Sequence, residues 1–186
     1  MKTDDTDIQA IYSLLANNKE RNDMIFNDVL QALDEKRSPI VLTERLDHVN
    51  ELYNLFKGFA KNIIILSGAS NKKERQQKLE KLIQLPDSEE RLLIATGKYV
   101  GEGFDDARLD TLFLTMPISW KGTLQQYVGR LHRDHGDKDE VKVFDYVDSN
   151  VDVLQTMFEK RLKGYKNIGY SLYGENKAKS QQIQLF

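Results

Sequence analysis

Gln126-Tyr127-Val128-Gly129-Arg130-Leu131-His132-Arg133 divides into two unlike faces when wound as a helix. At about 100° per residue, Gln126, Gly129, Arg130 and Arg133 fall within roughly a third of a turn, and Leu124, Tyr127, Val128 and Leu131 gather opposite them. One face is suited to a core and the other is cationic. Two guanidiniums one turn apart, with a glycine between them that leaves the surface bare, suit a bulky, multiply charged anion such as a triphosphate. A solvated basic face is the plain alternative, and the upstream segments weigh against it.

Upstream, Thr111 to Thr115 reads as a strand leading into this helix, and Thr96-Gly97-Lys98-Tyr99-Val100-Gly101-Glu102-Gly103-Phe104-Asp105 is a glycine-rich stretch before that strand. Short apolar runs at Ile40 to Leu42, Ile63 to Leu66, Leu92 to Ala95 and Leu112 to Leu114 alternate with helical stretches, and Val141 to Val147 supplies a further strand. That alternation predicts an α/β fold, a parallel sheet flanked by helices.

Helix boundaries are readable as well. Thr43 is expected to cap a helix carrying Leu46, Val49, Leu52, Tyr53, Leu55 and Phe56, stopped by Gly58. Asn71 with Glu74 opens the next in the manner of a capping box; Leu79, Leu82 and Ile83 form its buried stripe, and Pro86 ends it. Val153, Leu154, Met157, Phe158 and Leu162 mark a last helix, expected to stop at Gly164. Two amphipathic helices precede the sheet, one marked by Ile8, Ile11, Tyr12, Leu14 and Leu15 and the other by Ile25, Phe26, Val29, Leu30 and Leu33.

Composition sets further bounds. A chain of 186 residues suits one domain with appendages and can bury a substantial core. Without cysteine there is no disulfide or thiolate metal site, and His48, His132 and His135 lack ligand companions at useful spacing, so no metal site is expected. No apolar run approaches the roughly 20 residues of a membrane span, and the acidic start is unlike a signal peptide, so a cytoplasmic protein without membrane contact is expected. The net charge of −2 argues against a general grip on phosphates, so any nucleic-acid contact is expected to be local and weak.

Taken together, these segments resemble superfamily 2 helicases. Gln126, Gly129, Arg130 and Arg133 resemble motif VI, Thr96-Gly97 with Glu102-Gly103-x-Asp105 motif V, and Pro39-Ile40-Val41-Leu42-Thr43-Glu44-Arg45 motif IV. Leu66-Ser67-Gly68 followed by Lys73-Glu74-Arg75 is similar to the strand and helix between them, and order and spacing agree. The likeness spans about Ile8 to Gly174 and is nearest to the DNA translocases of type I and type III restriction motors and the xeroderma pigmentosum group B repair helicases.

That resemblance implies a RecA-like C-terminal lobe at residues 38–174, with an N-terminal helical appendage at 1–37 packed on it and a polar tail at 175–186 that frays. The triphosphate loop of such motors is not found: Gly164 and Gly169 have its spacing but are followed by Tyr170, and no Asp-Glu pair follows a strand. The likeness therefore implies that ATP and Mg²⁺ are held mainly by a missing N-terminal RecA-like lobe, and that this chain alone does not hydrolyse ATP. It implies that Arg130 and Arg133 reach the γ-phosphate as catalytic arginines, and that Gln126, Gly129, Gly103 and Asp105 approach the nucleotide. Gln126 is also the partner of a Thr123 capping box, and the glycines also fit a plain turn; Glu102 is assigned no chemistry.

Thr43, Ser67, Gly68, Thr96 and Gly97 fall at the carboxyl ends of predicted strands, where α/β sheets place ligands. The resemblance makes them nucleic-acid contacts through hydroxyls and amides. Trp120 is a candidate to stack on a base, packing anchor being its other reading. DNA is the expected track, RNA the alternative, in repair or restriction. Gln182-Ile183-Gln184-Leu185-Phe186 looks like a peptide that docks on a replication sliding clamp. Two further classes stand beside the motor: a stand-alone nucleic-acid-binding or regulatory module of helicase-like fold, and a Rossmann-type enzyme resting on Gly101-x-Gly103 alone.

Overall fold

The computed structural model describes residues 5–97, 106–119, 124–136 and 138–173. In chain order the elements are α1 (Asp5–Ala16), α2 (Lys19–Asp34), β1 (Pro39–Thr43), α3 (Leu46–Phe56), β2 (Ile63–Leu66), α4 (Lys72–Gln84), β3 (Leu92–Thr96), β4 (Thr111–Leu114), α5 (Gln125–Leu131), β5 (Lys142–Asp145) and α6 (Asp152–Asn167). The strands form one five-stranded parallel sheet in the order β2-β3-β1-β4-β5.

Both faces of the sheet are covered, which is why Pro39–Thr43 and Leu92–Thr96 are buried throughout and read as continuous apolar runs. Ile40, Leu42, Leu93, Ala95, Leu112 and Leu114 point to one side, where Leu82 of α4, Leu124, Tyr127, Val128 and Leu131 around α5, and Tyr165 of α6 meet them. Val41, Leu92, Ile94 and Phe113 point to the other, against Ile25, Val29, Ala32 and Leu33 of α2 and Val49, Leu52 and Phe56 of α3. Thus α2 contributes directly to a main core layer, while α1 packs through Leu15 and Ala16 on Met116 and Leu154. Among the described residues, no helix is long and apolar enough to cross a membrane.

The sheet and helix types follow the sequence reading, but several particulars differ. Thr43 ends β1 and does not cap α3, whose N-cap is Arg45 without a side-chain bond. The capping box of α4 is present, Asn71 accepting from the Glu74 N–H and Glu74 accepting from the Asn71 N–H. Ile83 is 71% exposed and Leu14 is 73% exposed. Each is one position from the residue that meets the core, Leu82 or Leu15, and a rotation of about 100° carries it to solvent. Gly164 does not end α6, because Arg161 and Tyr165 are buried from that helix and their contacts outweigh the roughly 1 kcal/mol cost of a mid-helix glycine. The left-handed turn falls to Gly169, at φ +95. β5 stops at Asp145 because β4, its strand partner among the described residues, offers four residues, so the predicted continuation to Val147 leaves the ladder.

Candidate functional site

Register brings a row of hydroxyls to the carboxyl edge of the sheet. Thr43 stands opposite Thr96, Ser67 follows the Leu66–Ala95 pair, and Thr115 follows the Leu42–Leu114 pair. Ser67, Thr96, Thr43 and Thr115 thus lie side by side across β2, β3, β1 and β4, all buried. Beyond β1 the chain passes through α3 toward β2, and beyond β4 through α5 toward β5. The connections diverge between β1 and β4, making that boundary the topological switch point where open α/β sheets bind ligands.

The four hydroxyls are not equivalent. Thr115 Oγ1 donates to the Leu42 carbonyl at 2.9 Å, locking β4 to β1. Thr43 Oγ1 lies 3.0 Å from His48 Nδ1, and His48 Nε2 lies 3.0 Å from Asn22 Oδ1. Asn22 Nδ2 donates to the Ala16 carbonyl, so its oxygen faces the ring and His48 is assigned as the Nε2–H tautomer, accepting from Thr43. The threonine hydroxyl is therefore committed inward, tying β1 to α3 and α2. Ser67, Thr96 and Gly97 are buried close to the same edge, while Gly68 is exposed.

His48 is enclosed, and burial, with Arg21 nearby, lowers its pKa to about 4. Between roughly pH 6.5 and 4 the unfolded chain binds a proton at this ring that the folded chain does not, so stability falls as pH drops through that window. The expected loss from pH 7 to pH 5 is about 2 kcal/mol in urea unfolding, an effect largely absent in His48→Gln. An equal loss in the variant would assign the effect to other groups.

Three carbonyls of the connection from β4 toward α5 are each held by a different element. Arg21 Nη2 donates to Thr115 O at 3.1 Å, Tyr12 Oη to Pro117 O at 2.6 Å, and Arg161 Nη1 to Ile118 O at 3.1 Å. Arg21 is further bound to Asp148 at 2.7 Å and to the Tyr146 carbonyl at 3.1 Å. Arg161 grips Asp145 through Nε and Nη2 at 2.7 and 2.9 Å, and Tyr165 Oη donates to the same carboxylate at 3.1 Å. The first part of that connection, from Thr115 to Ile118, is thereby held from α1, α2 and α6. None of these clamps was anticipated; the available signal was an arginine at the core-facing position between Phe158 and Tyr165.

On α5, Leu124, Tyr127, Val128 and Leu131 are buried while Gln126 and Gly129 are exposed and Arg130 is partly so, in line with the two-faced reading. A Cβ at Gly129 would meet nothing within 4 Å, so the bare patch is open surface. The helix ends at Leu131, however, so Arg133 is not on the same helical face one turn beyond Arg130. It is exposed in the turn that follows, bordering an open depression of about 620 Å³ whose other wall includes Lys138, Glu140 and Val141.

Near the switch point, the Glu44 carboxylate overlies Gly97: a Cβ there would stand 2.5 Å from Glu44 Oε1. Burial raises the Glu44 pKa, and burial together with the Glu44 charge pushes the Tyr127 phenol up to about 12, with Arg130 opposing. Glu44, Tyr127 and Arg130 therefore share one electrostatic neighbourhood. Gly103, Asp105, Trp120, Thr123 and the 182–186 peptide lie outside the described residues.

No family model matches the chain. It is 40% identical over 81 residues to the putative helicase 161L of Invertebrate iridescent virus 6, covering 42% of this chain and 17% of that protein. It is 39% identical over 87 residues to the uncharacterized protein 108L of Invertebrate iridescent virus 3, covering 46% of this chain and 78% of 108L. The crystal structure of T4 UvsW matches with a TM-score of 0.65 at 19% identity, covering 89% of this chain and 35% of UvsW. The chain thus spans only part of 161L and of UvsW. It belongs to one family with protein 108L, and its fold is RecA-like, a five-stranded parallel sheet flanked by helices.

Proposed function

We propose that this chain is the second motor lobe of an ATP-dependent DNA helicase or translocase, related to restriction motors and group B repair helicases. In this reading an N-terminal RecA-like lobe binds ATP and Mg²⁺ across a cleft, and the present lobe completes the site. The observation that carries the proposal is the hydroxyl row across the β1/β4 switch point, together with a helix reached from β4 that leaves Gln126 and Gly129 exposed and Arg130 partly so.

Arg130 and Arg133 would stabilise charge on the transferring phosphoryl group, while Gln126, Gly129, Gly103 and Asp105 approach the nucleotide. ATP supplies the free energy; this chain's residues supply charge, orientation and a track. Ser67, Gly68, Thr96 and Gly97 would contact the strand backbone, with Thr43 holding the edge in register and Trp120 stacking on a base. DNA passing this edge would meet amides and hydroxyls more than cations.

Anisotropy with a labelled DNA duplex tests the track. Dissociation constants of about 10 to 100 μM at physiological salt are expected, with a salt slope no steeper than about −3, equivalent to about three phosphates. Nanomolar binding would contradict a lobe that shares its track with another.

A further inference from the structure

Arg133 stands beyond the end of α5, yet its backbone is held on both sides. Its N–H donates to the Arg130 carbonyl at 3.3 Å, and its own carbonyl accepts from Lys138 Nζ at 2.8 Å. The same ammonium donates to the carbonyl of Leu131, the last residue of α5, at 2.8 Å. Lys138 is anchored in turn, its N–H donating to the His135 carbonyl at 3.0 Å. One cation therefore joins the negative end of the helix to the residue two positions beyond it, where terminal carbonyls lack partners within the helix. Burial lowers the Lys138 pKa, while Asp110, Asp106 and Asp134 support the charged form.

We propose that Lys138 is the positioning residue of Arg133, fixing the peptide from which that guanidinium projects. The inference rests on the catalytic reading of Arg133 given above. An arginine side chain has several rotatable bonds, so its reach is defined only if its base is, and a displacement of about 1 Å at a reacting centre can cost about a hundredfold in rate. Because α5 ends at Leu131, its own hydrogen bonding reaches that base only through the Arg133 N–H, and the carbonyl side is held by Lys138. Lys138 holds two carbonyls on one nitrogen, acting through Arg133 and contacting no ligand itself.

Lys138→Met keeps the aliphatic stem and removes the donors; Lys138→Arg keeps donors. In the full chain, amide exchange at Arg133 and Asp134 is expected to quicken about tenfold in Lys138→Met, with Tyr127 and Val128 unchanged and Lys138→Arg close to the parent. With the chain joined to a first lobe, Lys138→Met is expected to lower kcat about ten- to a hundredfold while KM for ATP stays within about twofold, and Lys138→Arg recovers most of the rate. Unchanged exchange at Arg133 would overturn the proposal, as would faster exchange extending through Val128, which marks general loosening of the helix. A normal kcat in Lys138→Met, where Arg133→Ala abolishes turnover, would also overturn it. Full turnover in Arg133→Ala removes instead the reading on which it rests.

Discussion

Arg133→Ala, made in this chain joined to an N-terminal RecA-like lobe, is expected to lower ATP turnover about a thousandfold or more. An arginine supplied to a phosphoryl-transfer site is worth about a thousandfold to a hundred-thousandfold, or roughly 4 to 7 kcal/mol of barrier. Little of this loss should come from folding, because Arg133 is exposed and lies outside the helix. The thermal midpoint should remain within a few degrees of the parent, as surface substitutions usually cost under about 0.5 kcal/mol. Arg130→Ala should behave similarly, though Arg130 is partly buried beside Tyr127 and a modest stability loss is expected with it. Near-normal turnover in Arg133→Ala would remove it from the catalytic role.

Arg161→Met should produce a large stability loss. Its side chain is only 1% exposed and that of Asp145 is 9% exposed, so the substitution leaves a buried carboxylate without its bidentate partner, still accepting from Tyr165, and strands the Ile118 carbonyl. Breaking a buried ion pair from one side costs about 3 to 5 kcal/mol, much of it from the charge left behind. For a chain of this size that corresponds to roughly 10 °C or more in Tm. Arg161→Met combined with Asp145→Leu should recover a large part of the loss, since no unpaired charge remains. A single variant within about 1 kcal/mol of the parent would show that Asp145 finds other solvation, and would weaken the view that this pair fixes the approach to α5.

The parallel sheet was legible because its strands are short, β-branched or leucine-rich runs buried on both faces and separated by amphipathic helices. Asn71 and Glu74 announced the start of α4 correctly because a capping box is a local device. The failures are long-range. Nothing near Gly164 reveals that Arg161 and Tyr165 must continue α6 in order to reach Asp145, 16 and 20 residues earlier. Thr43 looks like a cap, but its hydroxyl is engaged by His48, whose ring is held from Asn22 on another helix.

The site was half legible for the same reason. Residue type and strand position placed Thr43, Ser67 and Thr96 at one edge, with Thr115 completing the row through the register of β4. Helical periodicity separated the two faces of α5, but periodicity does not say where a helix stops, and Arg133 falls past the end. What holds it there, Lys138, is five residues away across a turn. The clamps by Tyr12, Arg21 and Arg161 join residues from 43 to 105 positions apart, a pairing that only the folded chain displays.

The most direct measurement is nucleic-acid-stimulated ATP hydrolysis by this chain, by an N-terminal RecA-like lobe, and by the two joined. Appreciable turnover only in the joined form, lost in Arg133→Ala, is the predicted result. Hydrolysis by this chain alone, or a joined form no faster than its first lobe, would contradict the assignment of the chain as the arginine-supplying half of a motor.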